Sequence, residues 1–375
     1  MRQNSAKGSL RSHAFCAHHR LRLRNLPAHL VGPILIKRIF WLNFFWLTIA
    51  TFDFLSKYNQ ATKVKMAYPI ENKLVVAVSS SALFDLSESH AVFVEKGRKA
   101  YKDFQEENLN KFLGKGVAFP FVRRFLNINK YFPAQSPVEV VLLSRNSAAT
   151  GKRVFRSISH YGLDISRAAF MEGESPYEYI PAFNASLFLS ANEEDVKNAI
   201  NNKYPAGIVL PSTVIDDEDD DELRIAFDFD GVIADDESEA VYKGKNMSAY
   251  REYEITNAHI PHKPGPLADL FQKLSLMQKL EDEEQEKNPD YKRIIRTSII
   301  TARNAPAHER VITTLEAWGV SANETFFLGG MKKDRILTRL KPHMYFDDQK
   351  SHLESDAGDI PMVHIPFGVA NTLLK

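Results

Sequence analysis

The stretch Arg224-Ile225-Ala226-Phe227-Asp228-Phe229-Asp230-Gly231-Val232-Ile233-Ala234 reads as a short apolar strand running into two carboxylates and a glycine. Side chains alternate along a strand, so Asp228 and Asp230 are expected on one side of its end, roughly 6–7 Å apart. Gly231 then lets the backbone turn away. A carboxylate pair at the carboxyl end of a parallel strand stands where an open α/β sheet places its ligand. Such a pair suits phosphoryl transfer: one carboxylate attacks phosphorus, and the other protonates the leaving oxygen and then activates water.

Three further apolar stretches end in polar residues, in chain order. Ile299-Ile300-Thr301-Ala302-Arg303 ends in a hydroxyl, Phe326-Phe327-Leu328-Gly329-Gly330 precedes Lys333 and its rival Lys332, and Met344-Tyr345-Phe346-Asp347-Asp348 ends in acids. With these in place, Phe227-Asp228-Phe229-Asp230-Gly231-Val232 resembles the first motif of the haloacid dehalogenase superfamily, most of whose members are phosphatases. The resemblance implies that Asp228 is the nucleophile and Asp230 the general acid and base. It also implies that Thr301 holds phosphate, Lys333 neutralises its charge, and Mg2+ is held by Asp228, the backbone carbonyl of Asp230 and Asp347 or Asp348. Arg303 is a further candidate for substrate contact.

Longer segments narrow the family. Leu74 to Asp85, Phe119-Pro120-Phe121-Val122, Val141 to Asn146 and Pro342 to Gln349 resemble the cytosolic type I 5'-nucleotidases, over roughly residues 67 to 370. This resemblance implies magnesium-dependent hydrolysis of nucleoside 5'-monophosphates, AMP or IMP among them, in the cytoplasm by a homo-oligomer. A phosphatase for another small phosphomonoester and a nucleoside phosphotransferase remain alternatives. A nucleotide-binding regulator without chemistry fits poorly with an intact set of Asp228, Asp230, Thr301, Lys333 and Asp347.

From Leu74 to Phe93 the chain can be laid on Leu223 to Tyr242 at an offset of 149 residues, and further along the offset becomes 157. Asp228 and Asp230 then fall on Ser79 and Ser81, Thr301 on Ser144, Asp347 on Ser190 and Lys333 on Pro176. Self-similarity of this kind suggests an internal repeat. The fold expected is therefore α/β: a Rossmann-like, haloacid dehalogenase-type parallel sheet with a small cap insert at about 238–295, preceded by a degenerate copy of the same unit. Eight extra residues separate the first and second motifs of the later copy. Residues 66–215 form the degenerate half, 216–222 an acidic, solvated linker, and 223–375 the half with the acids. Ser79, Ser81, Ser144, Arg145 and Asn146 offer phosphate-compatible donors and are a candidate effector site.

A chain of 375 residues can bury two substantial cores. With 48 basic and 47 acidic residues the net charge is +1, which gives no field to attract a nucleic acid polymer. The single cysteine, Cys16, excludes an internal disulfide and fits a reducing compartment. Residues 1–65 differ in composition: no acid precedes Asp53, and an apolar run spans about 39–55 after a basic flank. That is at the short limit for a membrane anchor, and a start at Met66 is the alternative reading; membrane contact is expected only if the segment belongs to the protein. His259 and His262 flank prolines without a third ligand nearby and read as loop histidines rather than a zinc site. Lys96 to Leu113 reads as helical, Asn127 to Gln135 as a loop, Ser238 to Lys243 and Leu267 to Leu280 as helices, and Glu281 to Lys287 as a solvated helix end. Base and sugar contacts are expected from the insert, with help from the first half.

Overall fold

The computed structural model describes residues 70–354 and 359–371; the basic and apolar segment 1–65, with Cys16, and Met66 lie outside the described residues. Among the described residues no helix is long and apolar enough to cross a membrane. In the first half, strand β1 (Leu74–Val78) leads through a small hairpin, β2 (Phe84–Asp85) against β3 (Gly114–Lys115), that brackets helix α1 (Ser87–Glu107). Helix α2 (Phe119–Tyr131), β4 (Val138–Ser144), α3 (Gly151–His160), β5 (Arg167–Phe170), β6 (Ala185–Ser190), α4 (Glu193–Asn201) and β7 (Ala206–Val209) complete it. The second half runs β8 (Leu223–Phe227), α5 (Glu237–Gly244), α6 (Met247–Thr256), α7 (Ala268–Lys287) and β9 (Ile295–Thr301). It ends with α8 (His308–Trp318), β10 (Glu324–Phe327), α9 (Asp334–Leu340), β11 (Met344–Asp347) and β12 (Met362–His364).

Ten strands form one sheet in the order β10-β9-β8-β11-β12-β7-β6-β1-β4-β5. Every pairing is parallel except the central one, where Val363 and His364 of β12 meet Val209 and Ile208 of β7 antiparallel. The central strands read as near-continuous apolar runs because both faces are covered by helices; all five residues of β1 and all seven of β4 are buried.

The two halves of the sheet share one strand order, and the sequence offsets reappear in the ladder. Val78 pairs with Leu142 as Phe227 pairs with Ile299, and Ser144 pairs with Phe170 as Thr301 pairs with Phe327. Gly162 and Gly319, matched at 157, both follow a helix in the left-handed region, with φ +64° and +65°, where a residue without Cβ ends a helix at no steric cost. Helices α2 and α7 start at positions matched at 149, whereas β4 and β9 start at positions matched at 157. The eight extra residues therefore fall between them, and α7 has 20 residues to the 13 of α2. These correspondences support an internal duplication, which we propose as the origin of the two halves.

Four local expectations are corrected. Asn127 to Tyr131 is the last part of α2 rather than loop: Asn127 and Ile128 turn inward and are buried, and the helix stops at Phe132, the residue before Pro133. The insert holds an additional helix, α6, opened by Asn246, whose side chain accepts the Ala249 N–H at 3.0 Å. Glu281 is buried in α7 and accepts the N–H groups of Ile294 (2.6 Å) and Ile295 (3.3 Å), pinning the entry to β9. The acidic run is docked at points rather than wholly solvated: Asp216 takes Arg124 Nη1 at 2.6 Å and Arg123 Nε at 3.0 Å, and Asp220 takes Arg224 Nη2 at 2.7 Å, while Asp217, Glu218, Asp219 and Asp221 stay exposed. Composition showed the like charges; it did not show the arginines of α2 that face them.

Candidate active site

Strand β8 stops at Phe227, and Asp228 continues it in an extended conformation (φ −69°, ψ 164°). Its N–H donates to the Phe346 carbonyl of β11 at 2.8 Å, and its Oδ1 accepts the Phe229 N–H at 2.7 Å. A tight turn over Phe229–Ile233 then carries Asp230 round, with Gly231 at φ +71°. Asp228 and Asp230 both line a cleft of about 440 Å³, together with Thr301, Arg303, Gly329, Gly330, Gln349 and His352. Tyr242, Lys243, Met247, Tyr250 and Arg251 of the insert line its other side. No residue of the first half lines this cleft among those described.

Lys333, buried at the start of α9, points its Nζ to Asp228 Oδ2 at 2.8 Å and Asp347 Oδ2 at 2.7 Å. Its rival Lys332 is exposed. Burial would lower the Lys333 pKa, but the two carboxylates raise it, so the ammonium is charged at every working pH. Asp347 is saturated: it also accepts from the Tyr345 hydroxyl and the Gln349 N–H (2.8 Å), and His352 Nδ1 lies 3.1 Å away. Burial pushes the Asp347 carboxyl up, yet Lys333 and His352 hold it well below the usual range. Asp228 goes the other way, raised by burial against the pull of Lys333 and pushed further by Asp347 and Asp230.

Asp348 is fully buried, and among the described residues neither of its carboxylate oxygens has a hydrogen-bond partner. Burial and the charges of Asp228, Asp347 and Glu239 push it up to about 10. Such an orphaned buried carboxylate needs a proton or a cation. A Cβ on Gly231 would stand 2.6 Å from Asp348 Oδ2, so the glycine is what lets the turn lie on this carboxylate. Asp228, Asp347 and His352 place ligand atoms within 4.8 Å of one another. Hard carboxylate oxygens around an uncompensated charge fit a divalent cation such as magnesium.

Thr301 ends β9, and its Oγ1 accepts the Arg303 N–H at 3.3 Å. Arg303 is buried and occupied: Nε and Nη2 fork onto Asp230 at 2.7 and 2.6 Å, and Nη1 pairs with Glu254 and with the Ala307 carbonyl at 3.1 Å. Burial would raise the Asp230 pKa, but Arg303 brings it below the usual carboxylate range. Sequence reasoning missed Glu254, which sits in the unrecognised α6, and underrated His262, whose Nε2 is 3.0 Å from Arg303 Nη2. His259 is an exposed loop residue.

In the first half, the matched positions are brought together and satisfy one another. Ser79 Oγ lies 3.1 Å from Ser81 Oγ, Ser80 Oγ 2.9 Å from Ser144 Oγ, and Tyr101 donates to Asn146 Oδ1 at 2.9 Å. Arg145 is engaged by Asp195 at 2.6 Å and Glu194 at 3.2 Å.

A family model described as 5'-nucleotidase matches residues 66–372. Human cytosolic 5'-nucleotidase 1B is 32% identical over 290 residues, which cover 76% of this chain and 47% of that relative. The chain thus spans about half the length of the curated relative it matches. No solved structure matches it. The family match over most of the chain and this identity lead to one conclusion: the chain belongs to the cytosolic type I 5'-nucleotidase family.

Proposed function

We propose that this chain is a magnesium-dependent, cytoplasmic 5'-nucleotidase that hydrolyses nucleoside 5'-monophosphates to nucleoside and phosphate. The observation that carries the reading is the buried Asp228 carboxylate, 2.8 Å from Lys333 Nζ, lining a cleft with Asp230 and Thr301. Family membership and the relative's name support the substrate class.

In the first step a carboxylate oxygen of Asp228 attacks phosphorus. The bond to the ribose 5'-oxygen breaks, and its electron pair leaves with that oxygen, which takes a proton from Asp230. Asp230 is ionised at rest, so this proton enters with the bound phosphate, whose second pKa is about 6. In the second step the Asp230 carboxylate takes a proton from water, whose oxygen attacks phosphorus and releases Asp228. Thr301 donates to a phosphate oxygen, and Lys333 offsets charge through both steps, the kind of positioning and electrostatic help that dominates phosphoryl transfer. Asp347 holds Lys333 in place. Asp228, Asp348 and the Asp230 carbonyl would hold magnesium, which when bound neutralises phosphate charge. Tyr242 and Tyr250, with ring centroids 6.2 Å apart and near perpendicular, and Met247 offer apolar area for the base.

The test is phosphate release by the full chain from a panel of nucleoside 5'-monophosphates and sugar phosphates, with magnesium and with EDTA, and from an added acceptor nucleoside assay. Magnesium-dependent release confined to nucleotides, abolished in a folded Asp228→Asn protein, supports the reading. Preference for a sugar phosphate, or transfer to the acceptor, replaces it.

A further inference from the structure

We infer that Arg303, braced by Glu254, is the positioning residue that aims the Asp230 carboxylate at the leaving oxygen. The inference rests on the hydrolase reading above. A carboxylate at the end of a tight turn can rotate, and proton transfer in the transition state demands that it does not. Here both Asp230 oxygens are forked by one guanidinium, at 2.6 and 2.7 Å, a geometry that fixes the plane of the carboxylate. The guanidinium is fixed in turn. Its third nitrogen pairs with Glu254, and its face lies 5.5 Å from the Phe229 ring centroid. Glu254 is itself fully buried, accepting from Ser238 Oγ at 2.5 Å and Arg310 Nη1 at 3.3 Å.

A buried ion network could simply hold the insert onto the sheet, and the first half decides against that. It keeps the scaffold of this network, Arg153 in the place of Arg310 included, and drops the three other charges. Arg153 Nη1 donates to Gln105 at 3.2 Å as Arg310 donates to Glu254, and Arg153 Nε donates to the Lys111 carbonyl at 2.8 Å as Arg310 Nε donates to that of Ile260 at 2.8 Å. The Leu113 N–H reaches Ser157 Oγ at 3.0 Å as the His262 N–H reaches Thr314 Oγ1 at 3.0 Å. At the positions of Asp230, Arg303 and Glu254, however, stand Ser81, Asn146 and Gln105. The same arrangement of helices is thus held by Arg153 on neutral partners where there is no acid to aim. The charges of Arg303 and Glu254 accompany Asp230; the fold does without them.

The experiment compares two esters of the same nucleoside in the full chain with magnesium: AMP, and its analogue with sulfur in the bridging 5' position, whose thiolate leaves without needing a proton. The variants are Glu254→Gln, Arg303→Lys, and the double variant Arg303→Asn with Glu254→Gln, which copies the pair that the first half already folds with. In the double variant kcat/KM for AMP is expected to fall about 10²-fold and that for the sulfur ester less than about 5-fold, with KM for AMP within about twofold. Arg303→Lys, which keeps the charge but not the fork, should recover part of the loss. Equal losses on the two esters, unchanged turnover of AMP, or a double variant that fails to fold while Glu254→Gln leaves the ester ratio unmoved would each overturn the inference. A wild-type protein that releases phosphate from neither ester overturns the hydrolase reading and this inference with it, whereas wild-type turnover with an unmoved ratio overturns the inference alone.

Discussion

Lys333 Nζ stands 2.8 Å from Asp228 Oδ2 and 2.7 Å from Asp347 Oδ2, so a single buried ammonium serves two buried carboxylates. Replacing Lys333 by Met leaves Asp228, Asp347 and Asp348 facing one another with no cation. Breaking a buried pair in this way costs about 3–5 kcal/mol, and loss of a charge-stabilising donor lowers turnover by about 10²–10³-fold. Magnesium should then raise the melting temperature of Lys333→Met more than that of the wild type. Thermal melts with and without the ion, beside phosphate-release rates, check this; a variant that melts and turns over like the wild type argues against the shared role.

Gly231→Ala puts a methyl group 2.6 Å from Asp348 Oδ2 at a backbone φ of +71°. Strain of that kind costs about 1–3 kcal/mol. The expected signature is a rise in the magnesium concentration for half-maximal activity, read from a metal titration, because the turn can no longer lie on Asp348. An unchanged titration curve would mean that Asp348 is not part of the metal site.

Arg124 is almost wholly buried and pairs with the equally buried side chain of Asp216 at 2.6 Å, fastening the acidic segment onto α2. Arg124→Met alone should destabilise by about 3–5 kcal/mol, whereas Arg124→Met combined with Asp216→Leu should regain most of it, since an apolar pair of similar volume replaces an ion pair well. Urea unfolding of the two variants gives the comparison, and no recovery in the pair would show that the carbonyls of Pro120 and Asp217, which Arg124 also meets, matter more.

His343 is a pH-sensitive group away from the cleft. Its Nδ1 accepts the Arg224 N–H at 3.1 Å, and burial, with Arg124 and Arg224 adding repulsion, pushes it down to about 3. Between that value and an unfolded value of about 6.5 the unfolded chain binds the extra proton, so stability from this group is complete above about pH 6.5 and drains as pH falls toward 3. At pH 5 the loss is about 2 kcal/mol. His343→Asn should flatten the fall in melting temperature between pH 7 and pH 5; an equally steep fall would assign it to carboxylates instead.

The apolar strand runs made the α/β class and the strand ends legible, because strands buried on both faces leave little ambiguity in sequence. Asp228, Thr301 and Lys333 could be read for the same reason, each following an apolar run. What could not be read are contacts between elements distant in sequence. Nothing local tells that Glu254 meets Arg303, that Arg124 faces Asp216, or that Asp347 is spent on Lys333, Tyr345 and His352 while Asp348 has no partner. Helix α6 escaped because its apolar residues are few and it is opened by an asparagine within a polar stretch.

The one antiparallel pairing within the ten-stranded sheet, β7 with β12, also governs how the described chain is laid out. Among the described residues, every strand on one side of it comes from residues 74–209 and every strand on the other from residues 223–364, so between those strands the backbone passes the midline once, through the acidic segment. The two rows of strand tips consequently open on opposite rims of the sheet, which is why Ser79 and Ser144 stay remote from the cleft that holds Asp228. A nick in that segment would yield two polypeptides, each owning a complete five-stranded row and each newly baring one short strand edge, β7 on one and β12 on the other. The protein is divisible along its sequence and undivided in its core, and reassembly of the two pieces would have to begin at the four residues of that one seam.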